Sequence, residues 1–356
     1  MSGAVDRAPR AVPPEVLARF GIVRGASPRG LEAGHINRTW QVVHAGGATV
    51  LQWINGSVFP DPERLVRNTD AVSRHVRAAE PFVPAQHAAL DGEPFARDDT
   101  GEVWRATAYV PDARTLLAPR QRAEAHAAGA GFGRFLRLTQ DFDITGFVPA
   151  IVGFHDLRPR LAAFDAALAA DAHGRAGGAP DVLETIARHR AALLALPLHD
   201  RPQRLIHGDC KVSNLLLHAT RNVAVAVIDL DTVMPATPLF DLGDLVRSAC
   251  ALAPEDEPDT ARVGIDEGTF AALAHGFLGE LGTPLRPDER ALLVPACAYI
   301  AFMLGVRFAT DHLDGDGYFR IRRPAQNLDR ARSQLRMAEL YLQRQRRLQR
   351  LLEGAP

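Results

Sequence analysis

Two polar clusters, set a fixed distance apart between apolar runs, constrain this 356-residue chain more than any other feature. In Leu205-Ile206-His207-Gly208-Asp209-Cys210-Lys211-Val212-Ser213-Asn214-Leu215-Leu216, apolar residues flank a polar loop that carries Asp209, Lys211 and Asn214. Shortly after it, Ala226-Val227-Ile228-Asp229-Leu230-Asp231-Thr232 reads as an apolar strand delivering carboxylates to its end. Taken singly, a loop Asp or Asn is a turn former whose side chain bonds nearby backbone. Four chemical positions agreeing in order and spacing point elsewhere. A loop Asp can accept a hydroxyl proton, an Asn five residues on can hold Mg²⁺, and a strand-end Asp can complete the metal site. A lysine between them pairs with phosphate as a compact cation. The pattern is that of ATP-dependent phosphoryl transfer, with Asp209 and Lys211 catalytic and Asn214 and Asp229 at the metal.

The length suggests two lobes or two domains. A net charge of −1 gives no sign of a nucleic-acid or membrane partner. Cys210, Cys250 and Cys297 are odd in number and widely spaced, which indicates neither a disulfide framework nor a zinc site. No apolar signal core opens the sequence and no stretch is expected to approach a membrane span, so a reducing cytoplasm fits. Lys211 is the only lysine; every other basic side chain outside the histidines is arginine. Its survival in this loop suits a tight phosphate contact, where the two residues are not interchangeable.

Met1 to Pro14 is polar and Pro-rich. A short helix is expected over Val16–Phe20. A hairpin follows, its strands Gly30–Val43 and Ala48–Ile54 turning at Gly46-Gly47. The Gly34 turn can present backbone N–H groups to phosphate, though a lone glycine turn is a weak signal. Pro62 to Ala79 reads as a helix with Leu65, Val72 and Val76 on one face. Val103 to Val110 reads as a strand ending in a Pro111-Asp112 hinge. Helices are then expected over 121–138, 157–170 and 180–196, from Phe240, and over 269–281, 287–310 and 327 to the end. In the last, Leu328, Ala331, Leu335, Ala338 and Leu342 mark the buried face. Arg344, Arg346, Arg347 and Arg350 read as a solvated face at a helix C-terminus.

A small strand-rich lobe, a hinge and a helical lobe with D-x-K-x-x-N and an Asp strand resemble the aminoglycoside phosphotransferase superfamily. Within it the chain is most similar to the bacterial N-acetylhexosamine 1-kinases. The similarity runs from about Gly34 to Met337, on Gly34-His35-Ile36-Asn37, Leu51-Gln52, Val58-Phe59-Pro60-Asp61, Phe132-Gly133-Arg134-Phe135 and Asp171 to Ala176. It continues through Val227 to Pro235 and Arg307-Phe308-Ala309-Thr310-Asp311-His312-Leu313. The resemblance implies an α+β, protein-kinase-like two-lobe fold, with residues 1–110 covering the nucleotide and 111–356 carrying the catalytic loop and acceptor site. It implies ATP and Mg²⁺, and transfer to the anomeric hydroxyl of GlcNAc or GalNAc by a monomer or weak homodimer. Asp209 becomes the base, and Asn214 and Asp229 the metal ligands. Asp231 either supports the metal or makes a structural hydrogen bond. Gly34, His35 and Asn37 fall to the nucleotide; Arg247, Arg307 and Tyr318 fall to the acceptor, with Asp209. Asp241 and Asp244 would stabilise the loop region.

Three departures stand out. Gly208 replaces the Asn of H-N-D, Ser248 stands where an aromatic flanks the sugar, and Trp53 replaces the basic residue expected after Leu51-Gln52. The last leaves the phosphate-clamping cation of the small lobe unassigned. The nearest rival acceptor is an aminoglycoside, choline-like compound or homoserine, with Asp311, Asp314 and Asp316 as a carboxylate patch for a polycation. A nucleotide-binding pseudokinase scaffold is the rival of another class.

Overall fold

The computed structural model describes residues 11–22, 25–31 and 36–353. A short helix, α1 (Pro14–Arg19), precedes the strands β1 (Ser27–Leu31), β2 (Arg38–His44) and β3 (Gly47–Trp53). Helix α2 (Pro62–Ala79) follows, then β4 (Gln86–His87), β5 (Ala96–Arg97) and β6 (Val103–Ala108). These strands form one antiparallel sheet in the order β1-β2-β3-β6-β4, with β5 also on β6. The first expected strand is thus two, β1 and β2, on either side of residues outside the described set.

Alternation divides this sheet chemically. On one face Trp40, Leu51, Trp53 and Trp104 pack with Val12 and Val16 of the α1 region. On the other, Ile54 and Val103 pack with Leu65 and Val66 of α2. Helix α2 starts at Pro62 because Asp61 caps it, its Oδ1 accepting the Arg64 N–H at 3.0 Å. Leu65, Val66, Val72 and Val76 are its buried apolar side, each worth about 1.5–3 kcal/mol of burial.

Beyond a short strand β7 (Ala113–Arg114), helices dominate: α3 (Arg122–Leu138), α4 (Leu157–Ala170) and α5 (Pro180–Leu194). Four short strands follow: β8 (Arg204–Ile206), β9 (Leu215–His218), β10 (Ala224–Val227) and β11 (Met234–Ala236). The remainder is α6 (Pro238–Ala249), α7 (Glu267–Glu280), α8 (Pro287–Arg290), α9 (Leu293–Leu313), α10 (Gln326–Gln343) and α11 (Gln345–Leu351). The helix expected over 287–310 is two, since Pro295 cannot continue an α-helical ladder from Ala291 and the chain restarts at Leu293. The terminal helix also breaks, at Arg344. Arg344 and Arg347 both pair with Glu267 of α7.

Helix α9 corrects one expectation. It has 21 residues and a mean hydropathy of 1.6, long and apolar enough by length and composition to cross a membrane. Yet 83% of that window is buried, because α4, α6 and α10 pack around it. The largest apolar cluster surrounds this helix and extends under the catalytic loop through Phe132, Phe135, Leu205 and Ile206. Cys210, Cys250 and Cys297 are all buried and unpaired.

Candidate active site

Two antiparallel pairings bring the two sequence clusters together. Ile206 at the end of β8 pairs with Met234 of β11, and Leu215 at the start of β9 pairs with Val227 of β10. The 207–214 loop and the 228–233 turn are therefore anchored side by side. The Ile228 N–H donates to Asn214 O at 2.9 Å, and Thr232 Oγ1 to His207 O at 3.0 Å.

Buried groups fix the loop's shape. Asp241 of α6 accepts both the His207 and Gly208 N–H groups at 2.8 Å. His207 Nδ1 accepts the Asp209 N–H at 3.2 Å, so its proton is on Nε2, which donates to Ile228 O at 3.0 Å. The ring is clamped edgewise by Phe132 and Phe135. Gly208 has φ +83°, and a Cβ there would lie 2.4 Å from Thr232 O, which explains why glycine replaces Asn. A second histidine, His155, donates from Nε2 to Gly208 O at 2.8 Å. Its other nitrogen is buried without a partner, and burial lowers its pKa to about 4, so the ring is neutral.

On this frame sit the chemical groups. Lys211 Nζ lies 2.8 Å from Asp209 Oδ2. Asn214 Nδ2 donates to Asp209 O at 2.9 Å and to its Oδ2 at 3.2 Å, which turns the amide oxygen away from that carboxylate. Burial opposes ionisation of Asp209, but the Lys211 charge and hydrogen bond outweigh it and hold the carboxyl below its ordinary value. Asp229 has the left-handed conformation φ 63°, ψ 59° that Asp tolerates. The residue is solvent-exposed, yet protein packs closely around it. That enclosure, with the charges of Asp231 and Asp209, raises its pKa to about 6 against Arg105 and Lys211.

An oxygen-rich pocket whose carboxylates repel one another fits a hard divalent cation. Asn214 Oδ1 and the Asp229 carboxylate, neither of which accepts a hydrogen bond among the described residues, are the groups that can hold it. Among the described residues no three His, Cys, Asp or Glu side chains form a self-sufficient metal cluster. Such an ion needs phosphate oxygens to complete its shell, which is the habit of Mg²⁺.

Asp231 has a different task. Its Oδ2 accepts from Asn37 Nδ2 at 2.6 Å and its Oδ1 from Arg105 Nη1 at 2.5 Å. These bonds tie the sheet to the catalytic segment. Asn37 is correspondingly engaged, accepting the Asn55 N–H at 3.0 Å through Oδ1. Gly34 and His35 lie outside the described residues.

The sheet carries a buried cation close to Trp53, on the neighbouring strand. Trp53 points to the α1 side of the sheet and bonds Glu102 at 3.2 Å. Position 52 is the cleft-facing one, and Gln52 accepts from Arg105 Nε at 2.8 Å. Gln52 and Arg105 are cross-strand partners on β3 and β6. Arg105 is thus the buried cation of this face. The period-2 alternation Trp104-out, Arg105-in was the signal that could have found it.

At the helical end, Arg307 of α9 lies 5.4, 5.8 and 5.3 Å from the ring centres of Phe154, Tyr318 and Phe319. Asp311 builds that segment by accepting the Tyr318 and Phe319 N–H groups at 2.8 Å each. Phe154 adjoins His155, so these aromatics abut the catalytic loop. They supply flat apolar surface that Ser248, bonded back to Leu245 O, does not. Arg247 faces Asp244, Glu255 and Gln334 and is buried among them.

A sheet lobe tied by a buried ion pair to an Asp-Lys-Asn loop and a strand-end Asp defines a kinase-like small-molecule phosphotransferase. The profile of the APH phosphotransferase enzyme family matches residues 27–281, and the chain belongs to that family. Solved structures agree on the fold. An aminoglycoside phosphotransferase from Alicyclobacillus acidocaldarius superposes with a TM-score of 0.64 at 15% identity, covering 99% of each chain. A choline kinase from Cryptosporidium parvum gives 0.57 at 12%, covering 94% of this chain and 95% of its own. A spectinomycin phosphotransferase solved with ADP and spectinomycin gives 0.57 at 13%, covering 92% and 97%.

Proposed function

We propose that this chain transfers the γ-phosphoryl group of ATP to a sugar hydroxyl, the anomeric hydroxyl of an N-acetylhexosamine being the reading its sequence resemblance favours. The observation that carries the transfer reaction is the convergence of Asp209, Lys211, Asn214 and Asp229 on one cleft floor. Residues 1–110 cover the nucleotide and 111–356 bind the acceptor. Asn214 and Asp229 would hold Mg²⁺, which when bound neutralises phosphate charge. Arg105, kept in place by Asp231 and Gln52, offers its remaining donors to the nucleotide phosphates. Lys211 holds Asp209 ionised and supplies positive charge beside it. Asp209 orients the acceptor hydroxyl and takes its proton as the oxygen bonds to the γ-phosphorus and the bond to ADP breaks. Positioning and charge neutralisation supply most of the rate. Arg307 and Tyr318 line the acceptor side, and Arg247 holds Asp244 beneath it.

The polycation rival loses its main support. Asp311 is spent on backbone N–H groups and Asn327, and Asp316 on Arg175 and Asn327. Only Asp314 of that trio is exposed. ADP release measured against amino sugars, neutral sugars, aminoglycosides and small amino alcohols tests the reading. Release with hexosamines is expected; release only with an aminoglycoside or amino alcohol overturns the sugar assignment, and none with any acceptor overturns the transfer reaction.

A further inference from the structure

Two guanidinium groups near the expected acceptor side form no salt bridge among the described residues, although the charge of Asp156 favours one of them, Arg160. Arg307 makes no hydrogen bond or ion pair among the described residues and is bordered by the rings of Phe154, Tyr318 and Phe319. Arg160 of α4 reaches the same place: its Nη2 donates to Phe154 O at 3.3 Å, while its Nε is buried with no partner. The two cations disfavour each other, for the pKa of Arg160 is lowered first by burial and next by the charge of Arg307. Several other half-buried or buried arginines are matched by a carboxylate: Arg105 by Asp231, Arg175 by Asp316, Arg247 by Asp244 and Arg134 by Glu80. A paired like charge with an orphaned buried donor is costly unless something completes it.

We propose that an anionic acceptor completes it: a sugar bearing a carboxylate, held by Arg160 and Arg307, with its ring against Phe154, Phe319 and Tyr318. This rests on the sugar phosphotransferase reading and narrows it. Charge-assisted bonds to two forked donors bind a carboxylate strongly and repel a polycation. Phe154, which borders both arginines, is one residue from His155, whose imidazole is bonded to the Asp209 loop, and this places the anion pocket next to the catalytic segment.

The test is equilibrium binding, by calorimetry, of glucuronate, galacturonate and N-acetylglucosaminuronate against glucose, galactose and N-acetylglucosamine, with glucose 6-phosphate as a further arm. Uronates should bind roughly tenfold or more tighter than their neutral parents, the worth of one hydrogen bond to a charged group. Arg160→Gln and Arg307→Gln should each erase that gap; where a Gln variant fails to fold, Arg160→Met or Arg307→Met, which also removes the charge, takes its place. Equal binding of uronate and parent, a gap that survives both substitutions, or preference for the sugar phosphate overturns the proposal. ADP release on the same samples separates the two readings. Uronate binding without transfer to any acceptor defeats the phosphotransferase and leaves the anion pocket, whereas transfer to neutral hexosamines without discrimination does the reverse.

Discussion

The tie between Arg105 and Asp231 can be taken apart quantitatively. Both side chains are about 95% buried, at 5% and 4% exposure, so Arg105→Met strands a carboxylate that keeps only Asn37 as partner. Removing one member of a buried pair costs about 3–5 kcal/mol. The residual Asn37 bond argues for the low end, about 3 kcal/mol. With an unfolding entropy of about 2.1 cal/mol/K per residue, one cooperative transition of this chain would melt about 4 °C lower. Asp231→Leu should cost a similar amount, since it strands Arg105 and orphans Asn37 Nδ2. The double variant leaves the Asn37 donor and the half-buried Gln52 Oε1 acceptor unsatisfied, together about 2 kcal/mol. A double-mutant cycle by denaturant unfolding should therefore show at least about 2 kcal/mol of coupling. Calorimetric titration with MgATP then separates fold from function: the double variant regains most of the stability and none of the nucleotide affinity. Single-variant costs that simply add refute the ion pair as a structural tie. Native MgATP affinity in the double variant refutes the phosphate contact.

Other consequences are simpler to state. Asp209→Asn should lower kcat by about 10²–10⁴, the span of general-base contributions, with MgATP affinity little changed; near-native turnover removes Asp209 from the base role. Asp229→Ala should abolish Mg²⁺-dependent nucleotide binding, read by titrating ATP with and without the metal; equal MgATP affinity to the native chain defeats the assignment. His155, with a folded pKa of about 4 against 6.5 unfolded, is protonated more readily in the unfolded chain between those values. Its contribution is intact above pH 6.5 and falls by about 3 kcal/mol as pH drops to 4. His155→Phe should flatten that segment of a pH–stability profile, and an unchanged slope assigns the acid sensitivity elsewhere.

The catalytic loop was legible because its chemistry is local: Asp209, Lys211 and Asn214 act within six residues, and their spacing alone aligns them. The helices were legible for the same reason, each carrying its own apolar period, as Leu328, Ala331, Leu335 and Ala338 do on α10. Their breaks were less so, because a pattern continuing through Ala291-Leu292 does not register the backbone restriction of Pro295. Helix α9 shows the converse: a run apolar enough for a bilayer becomes an interior helix only when its neighbours are known.

What the sequence hid is what depends on pairing across long separations. Asn37, Arg105 and Asp231 are separated by 68 and 126 positions and meet only because β3 and β6 are neighbours and the 228–233 turn rises beneath them. Trp53 packs on one face of the sheet and the Gln52–Arg105 pair lies on the other, since in a strand one residue is the difference between two faces. Arg160 was invisible for a related reason: on α4 it reads as one more solvated arginine in a chain full of them. Its meaning comes from Arg307, 147 positions later on α9, and from the lack of a salt bridge to either among the described residues. Residue types that match a motif identify the reaction. Charges without a salt-bridge partner among the described residues bear on what a ligand supplies, and Arg160 and Arg307 are the ground for the anionic acceptor proposed above.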